Sequence, residues 1–302
     1  MVQFFNKSNL FGIVGSDNNP KLNQSEVIVW DDNKQEIVYK FNIKKKVLNL
    51  KLTFDKIIVV CDTLIYIFNP NNFQLIDIIE TGYNPKGLIA VNYIKVTDEN
   101  KDRTILVYPS CEDKYGKLTI KNYEQRNYIY LNPHENEVTF FSLSSDGQYL
   151  ATVGKNDKKL RIYNPKTGKN LDELTLEKND IKFISFYPWG NILATSCEKD
   201  IIDIWSLKKA SGVINEKNSF FEDNNEANLK VTNIHIGFIH KSDKPFNHIT
   251  LKHTFENYQF LGINDLAIIT TSGLFCHINF EIGKKTKKKE GNFKLIDEKE
   301  LF

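Results

Sequence analysis

The sequence has 302 residues, of which 41% are hydrophobic and 12% aromatic, enough apolar material for a large strand-rich core and too much for a disordered chain. Forty basic residues stand against 38 acidic residues, and the formal charge of +2 excludes a global field that would attract nucleic acid or a membrane. No segment approaches the ~20 apolar residues of a membrane-spanning helix, and the amino terminus lacks the apolar stretch of a signal peptide.

Four cysteines are scattered along the chain, and none of them has the paired spacing of a zinc site. Three of them lie inside apolar runs. This pattern predicts buried, reduced thiols and therefore a cytoplasmic protein.

A plan of short strands repeats with a period of about 40 residues, which is the spacing of blades in a β-propeller. In the first half, segments 27–32, 64–68 and 118–123 each fit the third strand of a blade. The clearest copy has strands predicted at 138–143, 149–153, 159–163 and 171–176. The next copy has strands at 181–186, 192–196 and 201–205, and a last pair covers 266–270 and 274–278. Alternating apolar residues and Gly, Pro, Asn or Asp turns agree throughout these segments.

We therefore predict an all-β, WD-repeat-type β-propeller with about six recognisable four-stranded blades, formed by residues 1–302 as a single domain. Residues 208–247 form an insertion in the penultimate blade, with a polar middle and an apolar run at 231–239 that predicts a strand. Residues 283–302 form a basic C-terminal segment. Its lysine cluster at 284–289 has two interpretations, a solvated hairpin tip or a contact with acidic lipid or nucleic acid.

Several short motifs resemble one family of propellers beyond the general repeat. They are Ser-Asn-Leu at 8–10, Ile-Val-Gly at 13–15, Asn-Pro-Lys at 19–21, Asn-Pro-Lys-Gly-Leu at 84–88 and Pro-His-Glu at 133–135. In this order they resemble the PROPPINs, the WIPI-like phosphoinositide-binding propellers of autophagy, which have seven blades. The resemblance implies a partner-binding rim on the family's second and third blades, corresponding here to residues 26–88, where a lipid-transfer protein would bind. We expect this rim to include Asn84, Pro85, Lys86 and Gly87.

The lipid signature of that family is not preserved. Family members close the fifth blade with an aromatic residue or leucine followed by Arg-Arg-Gly, and each arginine serves one phosphoinositide head group. The corresponding residues here are Leu174, Thr175, Leu176 and Glu177. Because neutral side chains cannot replace two guanidinium groups, and a glutamate repels phosphate, we expect phosphoinositide binding to be lost.

A second departure concerns the first blade. Family members have a complete blade before the segment that resembles residues 8–10, whereas this sequence has seven residues there. Three explanations remain open: a truncated gene model, a ring closed with six blades, and an open ring completed by another subunit. Unpaired strand edges at such a gap would need to be covered.

Catalytic motifs are absent from the sequence, including a Gly-rich phosphate loop, HExxH and GxSxG. The histidine pairs 235/240 and 248/253 are each five residues apart, so on a strand their side chains point to opposite faces and do not chelate a metal. We expect His134 to have a structural hydrogen-bonding role, and Asp31 and Asp32 to cap a turn.

Two functions therefore remain open. The first is a non-enzymatic, protein-binding autophagy scaffold without cofactors or metals. The alternative is a lipid-blind structural subunit of a larger assembly, in which a partner completes the propeller. Both imply protein partners, neither implies nucleic acid, and both place the protein in the cytoplasm, either peripheral to a membrane or within a large assembly.

Overall fold

The computed structural model describes residues 1–4, 9–15, 22–94, 103–111, 116–175, 181, 183–186, 192–196, 202–209, 229–236, 255–262, 265–270, 274–280 and 293–300. The regular structure in these residues consists of 24 strands, which form six four-stranded antiparallel sheets in chain order. Within them, no helix is long and apolar enough to cross a membrane. The all-β prediction and the six repeats are confirmed.

Residues 1–137 form one compact unit of three sheets. The first sheet contains β1 (Val2–Phe4), β2 (Leu10–Val14), β3 (Glu26–Asp31) and β4 (Glu36–Asn42). The second contains β5 (Asn49–Leu52), β6 (Ile57–Val60), β7 (Leu64–Phe68) and β8 (Leu75–Glu80). The third contains β9 (Ala90–Ile94), β10 (Arg103–Pro109), β11 (Leu118–Asn122) and β12 (Asn127–Leu131). The three segments predicted as third strands are β3, β7 and β11, as expected.

Residues 138–302 form a second compact unit, also of three sheets. They are β13 (Val138–Leu143), β14 (Leu150–Gly154), β15 (Lys159–Tyr163) and β16 (Asn170–Thr175); then β17 (Phe183–Phe186), β18 (Ile192–Ser196), β19 (Ile202–Lys209) and β20 (Leu229–Ile236); then β21 (Phe255–Gly262), β22 (Asp265–Thr270), β23 (Leu274–Phe280) and β24 (Phe293–Glu300). The strand predicted inside the 208–247 insertion is β20, which pairs with β19. That residues 1–302 form a single domain stays a prediction.

The basic C-terminal segment, 283–302, contributes the strand β24, which pairs with β23. The sequence did not indicate this strand, because five of its eight residues are charged and only a short apolar stretch interrupts them. The lysine cluster at 284–289 lies outside the described residues.

Period-two alternation explains how the second sheet packs on both of its faces. All four residues of β6 are fully buried. Ile57 and Val59 pack into a core cluster with residues of the first sheet, whereas Ile58 and Val60 pack into a cluster with residues of the third sheet. Each of these side chains contributes about 1.5–3 kcal/mol by leaving water. A strand buried on both faces reads as a continuous apolar run, as β6 does.

Polar side chains close the turns as predicted. The backbone N–H groups of Asn33 and Lys34 donate to Asp31 Oδ1 at 3.0 and 3.2 Å. In the turn after β13, Ser144 Oγ accepts from the N–H groups of Gln148 and Tyr149 at 3.1 and 2.9 Å. These bonds satisfy backbone donors that the strands leave unpaired.

A buried lysine joins the second and third sheets. Lys56 is 5% exposed, and its Nζ donates to Thr104 Oγ1 at 3.0 Å and Glu124 Oε1 at 2.8 Å, as well as to Asp55. It also lies 4.7 Å from the centroid of the Tyr123 ring. Because two carboxylates and an aromatic face surround the ammonium group, its burial is compensated.

Candidate partner-binding surface

The rim segment predicted from sequence is the loop between β8 and β9, and Asn84 holds it in shape from the inside. Asn84 is 2% exposed. Its Nδ2 donates to the carbonyl oxygen of Leu88 at 2.9 Å, and its Oδ1 accepts from the Leu88 N–H at 2.7 Å. Its own N–H donates to the carbonyl of Asp62 at 2.7 Å. Asn84 therefore positions the loop and does not present its side chain to a partner.

Gly87 has a second positioning role in the same loop. Its φ is +62°, and a Cβ added there would lie 2.7 Å from the Cβ of Leu48 and 3.2 Å from that of Asn49. Its carbonyl accepts from Asn49 Nδ2 at 2.9 Å. The left-handed backbone and the close approach both require a residue without a side chain.

The exposed face of the loop consists of Tyr83, Pro85 and Lys86. Tyr83 is 74% exposed, and it borders a hollow of about 340 Å³ that Pro85 also lines. Lys45 and Lys46, from the connection between β4 and β5, also line this hollow. We call the residues that line it, Lys45, Lys46, Leu48, Asp62, Tyr83 and Pro85, the rim hollow.

The rim hollow carries more positive than negative charge, since two lysines and one carboxylate line it. Lys45 Nζ lies 3.9 Å from Asp62 Oδ1 and 3.3 Å from Thr63 Oγ1. Lys86, which neighbours Pro85 in the chain, has its Nζ 3.8 Å from Glu137 Oε1. Such exposed ion pairs are worth about 0–1 kcal/mol, so a partner can replace them at little cost.

Of the four predicted rim residues, the structure thus places two, Pro85 and Lys86, on the surface and two, Asn84 and Gly87, inside. Sequence reasoning missed Tyr83, Lys45 and Lys46. The only signal was a run of three lysines at 44–46, which by itself is typical of any solvated turn. Only the folded chain brings this run beside residues 83–85.

The residues at the family's lipid positions lie at the end of β16. Leu174 is half-buried and packs against the core cluster of the second unit, while Thr175 is exposed. Leu176 and Glu177 lie outside the described residues. In the same sheet, Arg161 is already bonded to Asp157 and Glu173, each at 2.8 Å.

The described residues also bear on metal binding and on thiol reactivity. In the part of the chain that the structure describes, no group of three or more His, Cys, Asp or Glu side chains could hold a metal ion. His134 is 6% exposed and lies inside the fold. Burial raises the pKa of the Cys61 thiol to about 11, which disfavours the nucleophilic thiolate.

No protein-family model matches the chain. Over 204 residues it is 27% identical to Autophagy-related protein 18e of Arabidopsis thaliana, and over 227 residues it is 30% identical to SVP1-like protein 2 of Schizosaccharomyces pombe. These alignments cover 67% and 72% of this chain, and 52% and 59% of the relatives. The chain thus spans between half and three fifths of the length of these two relatives.

Among solved structures, Hsv2 of Kluyveromyces lactis matches with a TM-score of 0.69 at 17% identity, over 99% of this chain and 86% of that one. The complex of KlAtg21 with the coiled coil of AgAtg16 matches with a TM-score of 0.69 at 13% identity, over 100% of this chain and 85% of that one. At such identities the likeness shows the fold. It confirms the predicted WD-type β-propeller.

Proposed function

Since this chain is a WIPI-like β-propeller of the PROPPIN type, we propose that it serves autophagy as a non-enzymatic scaffold whose rim hollow binds an acidic segment of a partner protein. The observation that carries the proposal is the hollow itself: an exposed tyrosine and two lysines on loops that Asn84 and Gly87 hold in place. A fixed loop lowers the entropy that binding would otherwise cost.

The chemistry of the rim hollow favours an acidic peptide with an apolar anchor. Tyr83 offers a large, amphipathic ring with few rotatable bonds, as residues that dominate interface energies do. Lys45 and Lys46 attract an acidic partner during its approach and form ion pairs with its carboxylates once it is bound. A volume of about 340 Å³ is enough for one or two side chains of the partner.

The partner we propose is an autophagy protein. Both relatives described above are autophagy or SVP1-like propellers, and one structural neighbour was solved in complex with a coiled coil. Resemblance to the family points to the lipid-transfer protein that its rim contacts. We propose that the protein acts in the cytosol, at the periphery of a membrane.

We further propose that residues 174–177 no longer bind phosphoinositide. The sequence supports this, since no arginine remains there and Glu177 follows. The charge of β16 supports it too, because Asp172 and Glu173 precede the position where the family has its signature. A flotation assay with liposomes that contain phosphatidylinositol 3-phosphate is expected to leave the protein at the bottom of the gradient. Flotation that depends on this lipid would contradict the loss.

The rim is tested with a fluorescein-labelled peptide of alternating Glu and Leu, titrated with the full chain in an anisotropy assay. Replacing both Lys45 and Lys46 by glutamate, or Tyr83 by serine, is expected to weaken binding about tenfold or more, the equivalent of ~1.4 kcal/mol. The matched control is Lys34→Glu, an exposed lysine (66%) in the turn between β3 and β4. Equal weakening by the control would show that only the net charge of the protein matters and would overturn the assigned rim.

The alternative function, a structural subunit of a larger assembly, differs in requiring a permanent partner. The mass and unfolding of the purified chain separate the two. A monomer that unfolds cooperatively supports the scaffold. Insoluble or self-associating material that a co-expressed partner rescues would support the subunit.

A further inference from the structure

A groove of about 710 Å³ runs between β8 of the second sheet and the face of the third sheet, away from the rim hollow. Every residue of β8 from Ile76 to Glu80 lines it. Because neighbouring side chains on a strand point to opposite faces, a wall made of five consecutive residues is the open edge of the strand. β8 is the last strand of its sheet and pairs on one side, with β7.

The opposite wall is the face of a sheet. Its residues alternate along the chain: Thr119 and Lys121 on β11, and Tyr128 and Tyr130 on β12. They are cross-strand partners in register, Thr119 with Tyr130 and Lys121 with Tyr128. Tyr128 is 43% exposed and Tyr130 is 64% exposed. The third sheet therefore extends beyond the edge of β8, and the two tyrosines mark its uncovered part.

The two walls are joined by an ion pair between Lys121 and Asp77. Lys121 Nζ lies 3.0 Å from Asp77 Oδ2, and it also lies 4.7 and 5.4 Å from the ring centroids of Tyr123 and Tyr128. An occupant consequently does not have to neutralise a buried ion. It must offer apolar side chains that cover Tyr128 and Tyr130, and backbone N–H and C=O groups that bond to the open edge of β8.

The two ends of the groove differ in charge. At the carboxyl end of β8, the N–H of Gly82 donates to the carbonyl of Pro109 at 3.1 Å, and a Cβ on Gly82 would lie 2.3 Å from the Ser110 oxygen. This contact ties the strand to the third sheet beside Glu80. Arg126 lies at the other end, in the turn between β11 and β12.

We propose that this groove binds an extended segment of a partner protein, which adds to the second sheet as a fifth strand antiparallel to β8. Alternate apolar side chains of the segment cover Tyr128 and Tyr130. The outward N–H and C=O groups of β8 bond to its backbone, as in other cases of strand addition. The Glu80 carbonyl is the exception, because it already accepts from Cys111 Sγ at 2.9 Å. Since an antiparallel segment enters beside Glu80 and leaves beside Arg126, it begins with a basic residue and ends with an acidic one. This surface shares no residue with the rim hollow.

The probe is a fluorescein-labelled peptide, Lys-Thr-Val-Thr-Val-Thr-Glu, long enough for the ~17 Å edge of five residues at ~3.3 Å each. We expect saturable binding to the full chain in an anisotropy titration. A peptide with the same side chains and N-methyl groups on alternate residues is expected to bind about tenfold more weakly or worse. No saturable binding of the parent peptide, or equal binding of the N-methylated one, would overturn the proposal.

Variants of the protein locate the site. Tyr130→Ser is expected to weaken binding about tenfold, whereas the control Ile37→Ser, at another exposed residue (52%) on β4, leaves it unchanged. Arg126→Glu is expected to weaken binding of the parent peptide at least threefold and to strengthen binding of a version that ends in lysine instead of glutamate. This change in peptide preference tests the site even if the Tyr130→Ser variant does not fold. Equal effects of Tyr130→Ser and Ile37→Ser, or no exchange of preference, would refute the site.

Two further outcomes are decisive. If sedimentation shows a dimer of the full chain that Tyr130→Ser abolishes, the occupant is a second copy and the partner segment is wrong. The Tyr130→Ser variant is expected to bind the acidic peptide of the rim assay as tightly as the unchanged protein does. If Tyr130→Ser also lost the acidic peptide, both losses would reflect a general disturbance of the fold, and the separate groove would be refuted. If the unchanged protein failed only in the rim assay, the proposed function would be refuted and the groove would not.

Discussion

Replacement of Asn84 by alanine is expected to loosen the loop that carries Tyr83 without removing any surface group. The change deletes the bonds from Asn84 to the Leu88 carbonyl (2.9 Å) and from the Leu88 N–H (2.7 Å). Each such bond contributes about 1–1.5 kcal/mol, and buried groups left unpaired add to the loss. The local opening free energy of the loop should therefore fall by about 2–3 kcal/mol.

Hydrogen exchange read by mass spectrometry measures this effect directly. In a peptide that covers residues 81–89, protection of the loop amides should fall roughly 30- to 150-fold, because ~1.4 kcal/mol corresponds to a factor of ten. The matched control is Asn72→Ala, which also removes two bonds, at 3.1 and 3.3 Å to Gln74, but on an exposed turn. Unchanged exchange at 81–89, or an equal effect of the control on its own turn, would refute the positioning role of Asn84.

Gly87→Ala should destabilise the chain by about 2 kcal/mol or more in urea unfolding, since a side chain at φ +62° costs ~1–2 kcal/mol and its Cβ meets that of Leu48 at 2.7 Å. Lys56→Met should cost about 2–4 kcal/mol in the same urea unfolding, because it leaves two carboxylates without their shared cation. With a thiol pKa near 11, Cys61 should resist iodoacetamide at pH 8 in the folded chain and react in urea, whereas the exposed Cys111 should react in both; mass spectrometry of the digest reads both thiols, and rapid labelling of folded Cys61 would contradict its burial.

The strands could be predicted wherever their pattern reflects a single, local environment. β15 alternates polar and apolar residues, β7 is a continuous apolar run, and both end in an aromatic residue at the places that the sequence predicts. β24 could not be predicted, because a strand rich in Lys, Glu and Asp resembles a solvated tail until pairing with β23 is known.

The candidate site was only partly visible for the same kind of reason. The motif at 84–87 marked the correct loop, but a sequence motif does not say which side chains face inward. Asn84 turned out to be buried and its neighbour Tyr83 exposed. The lysines that complete the hollow come from a loop almost 40 residues earlier, and the groove beside β8 involves a neighbouring sheet.

Composition, repeat and turn chemistry determined that this chain folds as repeated four-stranded sheets, and the residues at 174–177 alone showed that the arginine pair is absent. Such properties are local, since backbone periodicity and side-chain charge belong to each segment by itself. The rim hollow and the edge of β8 were decided by the tertiary structure. They depend on which segments become neighbours and which strand edge stays unpaired, and these follow from the packing of one sheet against the next.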